Sequence, residues 1–175
     1  RQIRNKAGSF SYCTCYILCI CFFAENCSGC ICFFISHEII KNLKEKYGSQ
    51  LEVNERHYPL SAQTFVFSEA SECARTQGKF TEFHDEIFTN YYGKFQVENI
   101  SKAATAAGIP DIDTFNTCVS SGAEKDKVTT DVREAEKLGV TGTPFFLINK
   151  ELSIPGAISE QSFESLFDKL LSPSL

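Results

Sequence analysis

Cys27-Ser28-Gly29-Cys30 has a spacing with chemical meaning. Two cysteines at i and i+3 at the start of a helix face the same side. Their sulfurs can close a small disulfide ring with little backbone movement. The first thiol sits against the orphan N–H groups and the positive end of the helix dipole, which stabilise a thiolate. Because the thiolate is the nucleophile in thiol–disulfide exchange, Cys27 reads as the attacking sulfur and Cys30 as the one that resolves the mixed disulfide. Ser28 and Gly29 add neither a charge nor a ring, which predicts a weaker oxidant than a pair enclosing a histidine.

A second feature lies more than a hundred residues on. Gly139-Val140-Thr141-Gly142-Thr143-Pro144 runs into the strand-like Phe145-Phe146-Leu147-Ile148-Asn149. A proline at a strand entry cannot donate to the ladder. A trans proline that merely starts an edge strand is one reading. A cis bond that sets the backbone of Thr143 beside the CxxC, free to pair with an extended substrate, is the other. The CxxC and the element order favour the second.

CxxC also serves as half of a zinc site, but a second CxxC or a histidine pair should then follow. None does, and His37, His57 and His84 lack metal-ligand spacing. Of the nine cysteines, seven lie between Cys13 and Cys32, whereas a disulfide scaffold spreads its cysteines to close loops. The pairs Cys13/Cys15, Cys19/Cys21 and Cys30/Cys32 are CxC. On a strand i and i+2 share a face, so Cys15, Cys19 and Cys21 read as small core hydrophobes. A soft-metal cluster built from the N-terminal cysteines with Cys27, Cys30 and Cys32 is the alternative. Cys73 and Cys118 fall in separate predicted helices, where a structural disulfide and two lone buried thiols both remain open. Glu25, near the thiols, reads as an exposed turn carboxylate before a proton relay.

The elements that must position these residues follow from hydrophobic periodicity. Residues 16–23 form a continuous apolar run that suits a strand buried on both faces. Asn26 is a plausible N-cap, a helix is predicted over 31–47, and Gly48 is its C′ residue. A strand over 51–58 stops at Pro59. Helices are predicted over 67–77, 79–89, 97–107, 112–118 and 125–138, punctuated by Gly78, Gly93, Gly108 and Pro110. A terminal hairpin turns at Asn149-Lys150, and an amphipathic helix over 162–171 closes the chain. The order βαβ, helical block, αββα is that of a thioredoxin fold with a helical insertion, an α/β architecture. Its thioredoxin parts cover about 15–60 and 122–172, the insertion about 61–121, within one domain spanning 1–175. Residues 1–14 are unplaced. The insertion is expected to pack over the CxxC helix.

Bulk properties narrow the function classes. Of 175 residues, 43% are apolar and 22% charged, ordinary for a soluble domain with a core that needs no staples. A net charge of −5 gives no reason to expect nucleic acid or an anionic membrane surface. Arg1, Arg4 and Lys6 precede an uncharged stretch over 7–24. It reads either as the basic and apolar parts of a secretory signal or, in its second half, as the first core strand. The nearby CxxC favours the strand. With no initiator Met before Arg1, a fragment or processed product is expected.

Several stretches resemble the DsbA-like thioredoxin-fold proteins, in particular the branch with a fused helical domain, over about 16–171. Arg56-His57-Tyr58-Pro59-Leu60 is similar to that family's strand-ending motif. Gln77-Gly78-Lys79-Phe80 and Phe83-His84-Asp85 resemble its helical motif, and the stretch Glu136-Lys137-Leu138-Gly139 through Pro144 its approach to the last hairpin. Pro155-Gly156-Ala157 matches its end. The family carries proline and an aromatic or histidine where this chain has Ser28-Gly29, and an aspartate and aromatic where it has Ala24, Glu25 and Asn26.

The resemblance implies a dithiol–disulfide oxidoreductase acting on protein or peptide thiols outside the cytoplasm. Cys27 and Cys30 would be its redox pair, Thr143 and Pro144 its substrate-binding loop. It implies no cofactor, and a redox partner that recycles the CxxC. His84 and Asp85 read as packing or surface residues rather than catalytic ones. A thioredoxin-fold binding protein without turnover is the rival from a different class; loss of exchange in Cys27→Ser would exclude it.

Overall fold

The computed structural model describes residues 13–18, 29–91 and 96–172, with side chains at 36–91 and 96–172. β1 (Cys13–Leu18) is followed by α1 (Gly29–Tyr47), a 3-10 turn (Gly48–Gln50) and β2 (Leu51–Arg56). Five helices come next: α2 (Ala62–Thr76), α3 (Phe80–Asn90), α4 (Val97–Ala106), α5 (Ile112–Ser121) and α6 (Lys125–Lys137). β3 (Phe145–Ile148), β4 (Leu152–Pro155) and α7 (Glu160–Leu171) complete the chain. This is the thioredoxin order, with α2 to α5 between its halves.

The first strand takes in residues 13–15, ahead of the predicted 16–23, and residues 16–18 within it. β1 ends at Leu18, and residues 19–28, with Cys19, Cys21, Asn26 and Cys27, lie outside the described residues. The apolar run has no alternation to mark its ends. Over the described residues the pairing runs from Cys13 opposite Leu51 to Leu18 opposite Arg56.

The sheet order is β2-β1-β3-β4, with β1 parallel to β2 and the other neighbours antiparallel. β3 is buried on both faces. Phe146 and Ile148 enter the larger core with Phe163 and Phe167 of α7, Leu43 of α1, and Phe67, Phe83 and Phe115 of the helical block. Phe145 and Leu147 enter a smaller core with Ala135 and Val140, against which Tyr58 packs. That alternation is the period-2 pleat read from both sides.

Local chemistry fixes the helix ends. Ser61 and Thr64 form a reciprocal capping box on α2, and Asp111 accepts the Thr114 N–H to open α5. Asn149 and Lys150 both take left-handed φ values, 52° and 62°, as the central pair of a type I′ turn demands, within the three-residue loop between paired Ile148 and Leu152. Cys73 of α2 and Cys118 of α5 form a disulfide, which resolves the two readings left open for them. Among the described residues no helix is long and apolar enough to cross a membrane.

Candidate redox site

The register of the sheet collects the chemistry-bearing segments at one edge. Leu18, the last residue of β1, lies opposite Arg56, the last of β2, and opposite Phe145, the first of β3. Thr143 and Pro144 therefore enter β3, and His57 and Tyr58 leave β2, at the end of the sheet where Leu18 lies. The Thr143–Pro144 peptide is cis. The Gly156 N–H donates to the Pro144 carbonyl at 2.8 Å, which ties the end of β4 to the same loop.

α1 starts at Gly29, and Cys30 is its second residue. The start of a helix supplies orphan N–H groups and a positive dipole end. Cys27, Ser28 and Glu25 lie outside the described residues, so the expected roles of Cys27 and Glu25 rest on sequence. Beside Thr143 and Pro144 a groove of about 610 Å³ opens between the loop over 138–145 and the end of β4 at Pro155 and Gly156. Its lining is more apolar than polar. The Thr143 Oγ1 is buried and has no hydrogen-bond partner.

Beneath this edge lies a set of charges that sequence reasoning missed. Asp131 of α6 is 1% exposed. It accepts hydrogen bonds from Arg56 Nη1 at 2.8 Å, Lys127 Nζ at 2.7 Å and the His57 main-chain N–H at 3.1 Å. The Tyr58 hydroxyl donates to the Val140 carbonyl at 3.2 Å. These bonds fasten the exit of β2 to α6 and to the loop that carries Thr143. Behind them the buried His57 Nε2 pairs with Glu72 Oε1, whose other oxygen accepts from Arg75 Nε at 3.0 Å. Burial opposes ionisation of Glu72, but the hydrogen bonds and charges of His57 and Arg75 outweigh it and hold the carboxyl down to about 2. No spacing links His57 to Glu72 or Asp131, so only the turn motif around His57 marked the region.

α1 and α3 meet as the expected packing of the helical block over the CxxC helix requires. His37 of α1 stacks on Phe88 at 5.0 Å, and its Nε2 lies 3.1 Å from Asp85 Oδ1. His84 is buried between Phe80 and Phe88. Both residues of the pair at 84–85 thus pack against α1.

The sequence profile of the family described as "DSBA-like thioredoxin domain" matches residues 34–168. That span contains Thr143 and Pro144 and begins after Cys30. A probable DsbA oxidoreductase from Streptomyces coelicolor superimposes with a TM-score of 0.74 at 16% identity, covering 94% of this chain and 93% of that one. The thiol-disulfide exchange protein alpha-DsbA2 from Wolbachia pipientis gives 0.74 at 21% identity, covering 93% and 84%. Oxidised BdbD from Bacillus subtilis gives 0.74 at 14% identity, covering 92% and 88%. At these identities the likeness is one of fold. No curated protein sequence matches the chain.

Proposed function

The chain belongs to the family of DSBA-like thioredoxin domains, and from that premise we propose that it exchanges thiols and disulfides in protein substrates through Cys27 and Cys30. The observation that supports this reading is that β1 reaches Leu18 opposite Phe145, the residue that follows the cis Thr143–Pro144 peptide.

The exchange balances in two steps. The Cys27 thiolate attacks one sulfur of a substrate disulfide, and the other leaves as a thiolate. The Cys30 thiolate then attacks the Cys27 sulfur, releasing the substrate dithiol and closing the Cys27–Cys30 disulfide. Two electrons pass from the pair to the substrate, and the reverse sequence makes a substrate disulfide. The electrons travel through sulfur, so the scheme invokes no cofactor. It does need a redox partner to reset the pair. Thr143 and Pro144 line the groove where an extended substrate segment would lie.

The Cys73–Cys118 disulfide supports a site of action outside the cytoplasm, since such bonds persist in oxidising compartments. The uncharged Ser28-Gly29 dipeptide supports a reduction potential below that of strongly oxidising relatives, which lie near about −120 mV.

The test is the reduction potential, by equilibration in glutathione buffers and mass-spectrometric counting of alkylated thiols. A reversible two-electron transition mapped to Cys27 and Cys30 is the expected result. Exchange at neither cysteine across the accessible range would end the proposal.

A further inference from the structure

His37 comes from α1, His84 and Asp85 from α3, and one ligand atom of each lies within 4.8 Å of the other two. The His84 ring is 5.1 Å from that of His37, centroid to centroid. His84 is 4% exposed, and its Nε2 makes no hydrogen bond. An imidazole nitrogen buried without a partner costs desolvation with no return. Unprotonated, such a nitrogen offers a lone pair to a cation. A pocket of about 300 Å³ opens onto the three side chains.

We propose that His37, His84 and Asp85 bind one zinc-class divalent cation that clamps α1 to α3. Neutral imidazole and carboxylate are the donors such ions take. Ligands at zinc bond lengths around a tetrahedral centre stand roughly 3.3 Å apart. The His37–Asp85 separation of 3.1 Å already fits. The widest gap closes by at most roughly 1.5 Å to reach that spacing. Three protein ligands leave a fourth position toward the pocket for water. Lys41 and Lys44 line the same pocket and oppose a cation. Glu45 offsets them, and Glu55 does so less fully, because burial raises its pKa. This site shares no residue with Cys27 and Cys30 and is independent of the redox reading.

Cysteines also bind these metals, so the test uses the full chain alkylated with iodoacetamide, its Cys73–Cys118 disulfide intact. It is titrated with cobalt(II), then zinc(II). The expected result is one equivalent of cobalt, with visible d–d absorption and no sulfur-to-metal charge-transfer band, displaced by zinc. Zinc also raises the melting temperature. His37→Gln and Asp85→Asn, checked for native circular dichroism, each weaken binding by more than about tenfold, the cost of losing even an outer-shell partner. The cobalt spectrum of the unsubstituted protein reads the ligand set without any variant. Failure of the alkylated, folded protein to bind cobalt would overturn the site, as would affinity unchanged in both variants.

Discussion

The carboxylate of Asp131 accepts the main-chain N–H of His57 at 3.1 Å, joining α6 to the residue that follows β2. The bond is buried, and Arg56 and Lys127 complete the shell of Asp131 from partly exposed positions. Replacing Asp131 by alanine leaves the His57 N–H buried without an acceptor, while both cations regain water. The expected cost is about 2–3 kcal/mol, near the upper end for an orphaned buried donor. Asp131→Asn keeps an acceptor and should cost roughly half as much. Urea denaturation with an unchanged slope and a lowered midpoint checks both.

Glu72 sets the acid limb of stability. Its folded pKa is depressed to about 2 from an ordinary value of 4.5. A depressed carboxyl contributes stability that is complete above the unfolded value and disappears as pH falls through the folded one. The difference corresponds to about 3 kcal/mol, lost between roughly pH 5 and pH 2. Denaturant unfolding across that window should show the decline in the wild type, and Glu72→Gln should flatten it. An equally steep limb in the variant would place the dependence on other carboxylates.

The order of elements was legible because each carries its own local signal. Leu43 and its helical neighbours, the Pro59 stop, and Asn149-Lys150 between two apolar runs are patterns of a few residues each. β1 takes in residues 13–15 ahead of the apolar run over 16–23, because pairing with β2 and not hydrophobicity brings them into the sheet. The meeting of His37 with Asp85, and of His57 with Glu72 and Asp131, left no trace in spacing. Each joins residues from different helices or from a helix and a strand end, and three-dimensional proximity of that kind has no sequence period. Cys73 and Cys118 were visible as candidates, but their pairing depends on how α2 lies against α5.

The Cys73–Cys118 disulfide closes a loop with a sequence separation of 45 residues. Cross-linking a loop of that size lowers the entropy of the unfolded chain by an amount worth up to about 4 kcal/mol. The double substitution Cys73→Ala, Cys118→Ala removes that constraint and two buried sulfurs. We expect a loss of about 2–4 kcal/mol, measured as a lower denaturant midpoint. Exchange at Cys27 and Cys30 should persist at temperatures where the variant is folded.

The Thr143 hydroxyl is buried without a partner. Valine has the same shape and no hydroxyl, so Thr143→Val removes a polar group already stripped of water at no loss of a hydrogen bond. The expected effect is between neutral and about 1 kcal/mol of stabilisation. A destabilisation greater than about 1 kcal/mol would mean that the hydroxyl has a partner in solution.

Three single substitutions separate the roles of the thiols around the start of α1. Cys30→Ser leaves the attacking sulfur without its resolver, so a substrate disulfide should accumulate as a covalent adduct at Cys27, visible by intact mass and released by dithiothreitol. Cys27→Ser should form no such adduct, and its exchange rate on a disulfide peptide should fall to that of the buffer thiols. Cys32 lies two residues beyond Cys30 in α1. Residues two apart on a helix do not face each other, so Cys32→Ser should leave both adduct formation and exchange at wild-type levels. An adduct mapped to Cys32 in the Cys30→Ser protein would instead make Cys32 the attacking thiol and overturn the assignment of Cys27.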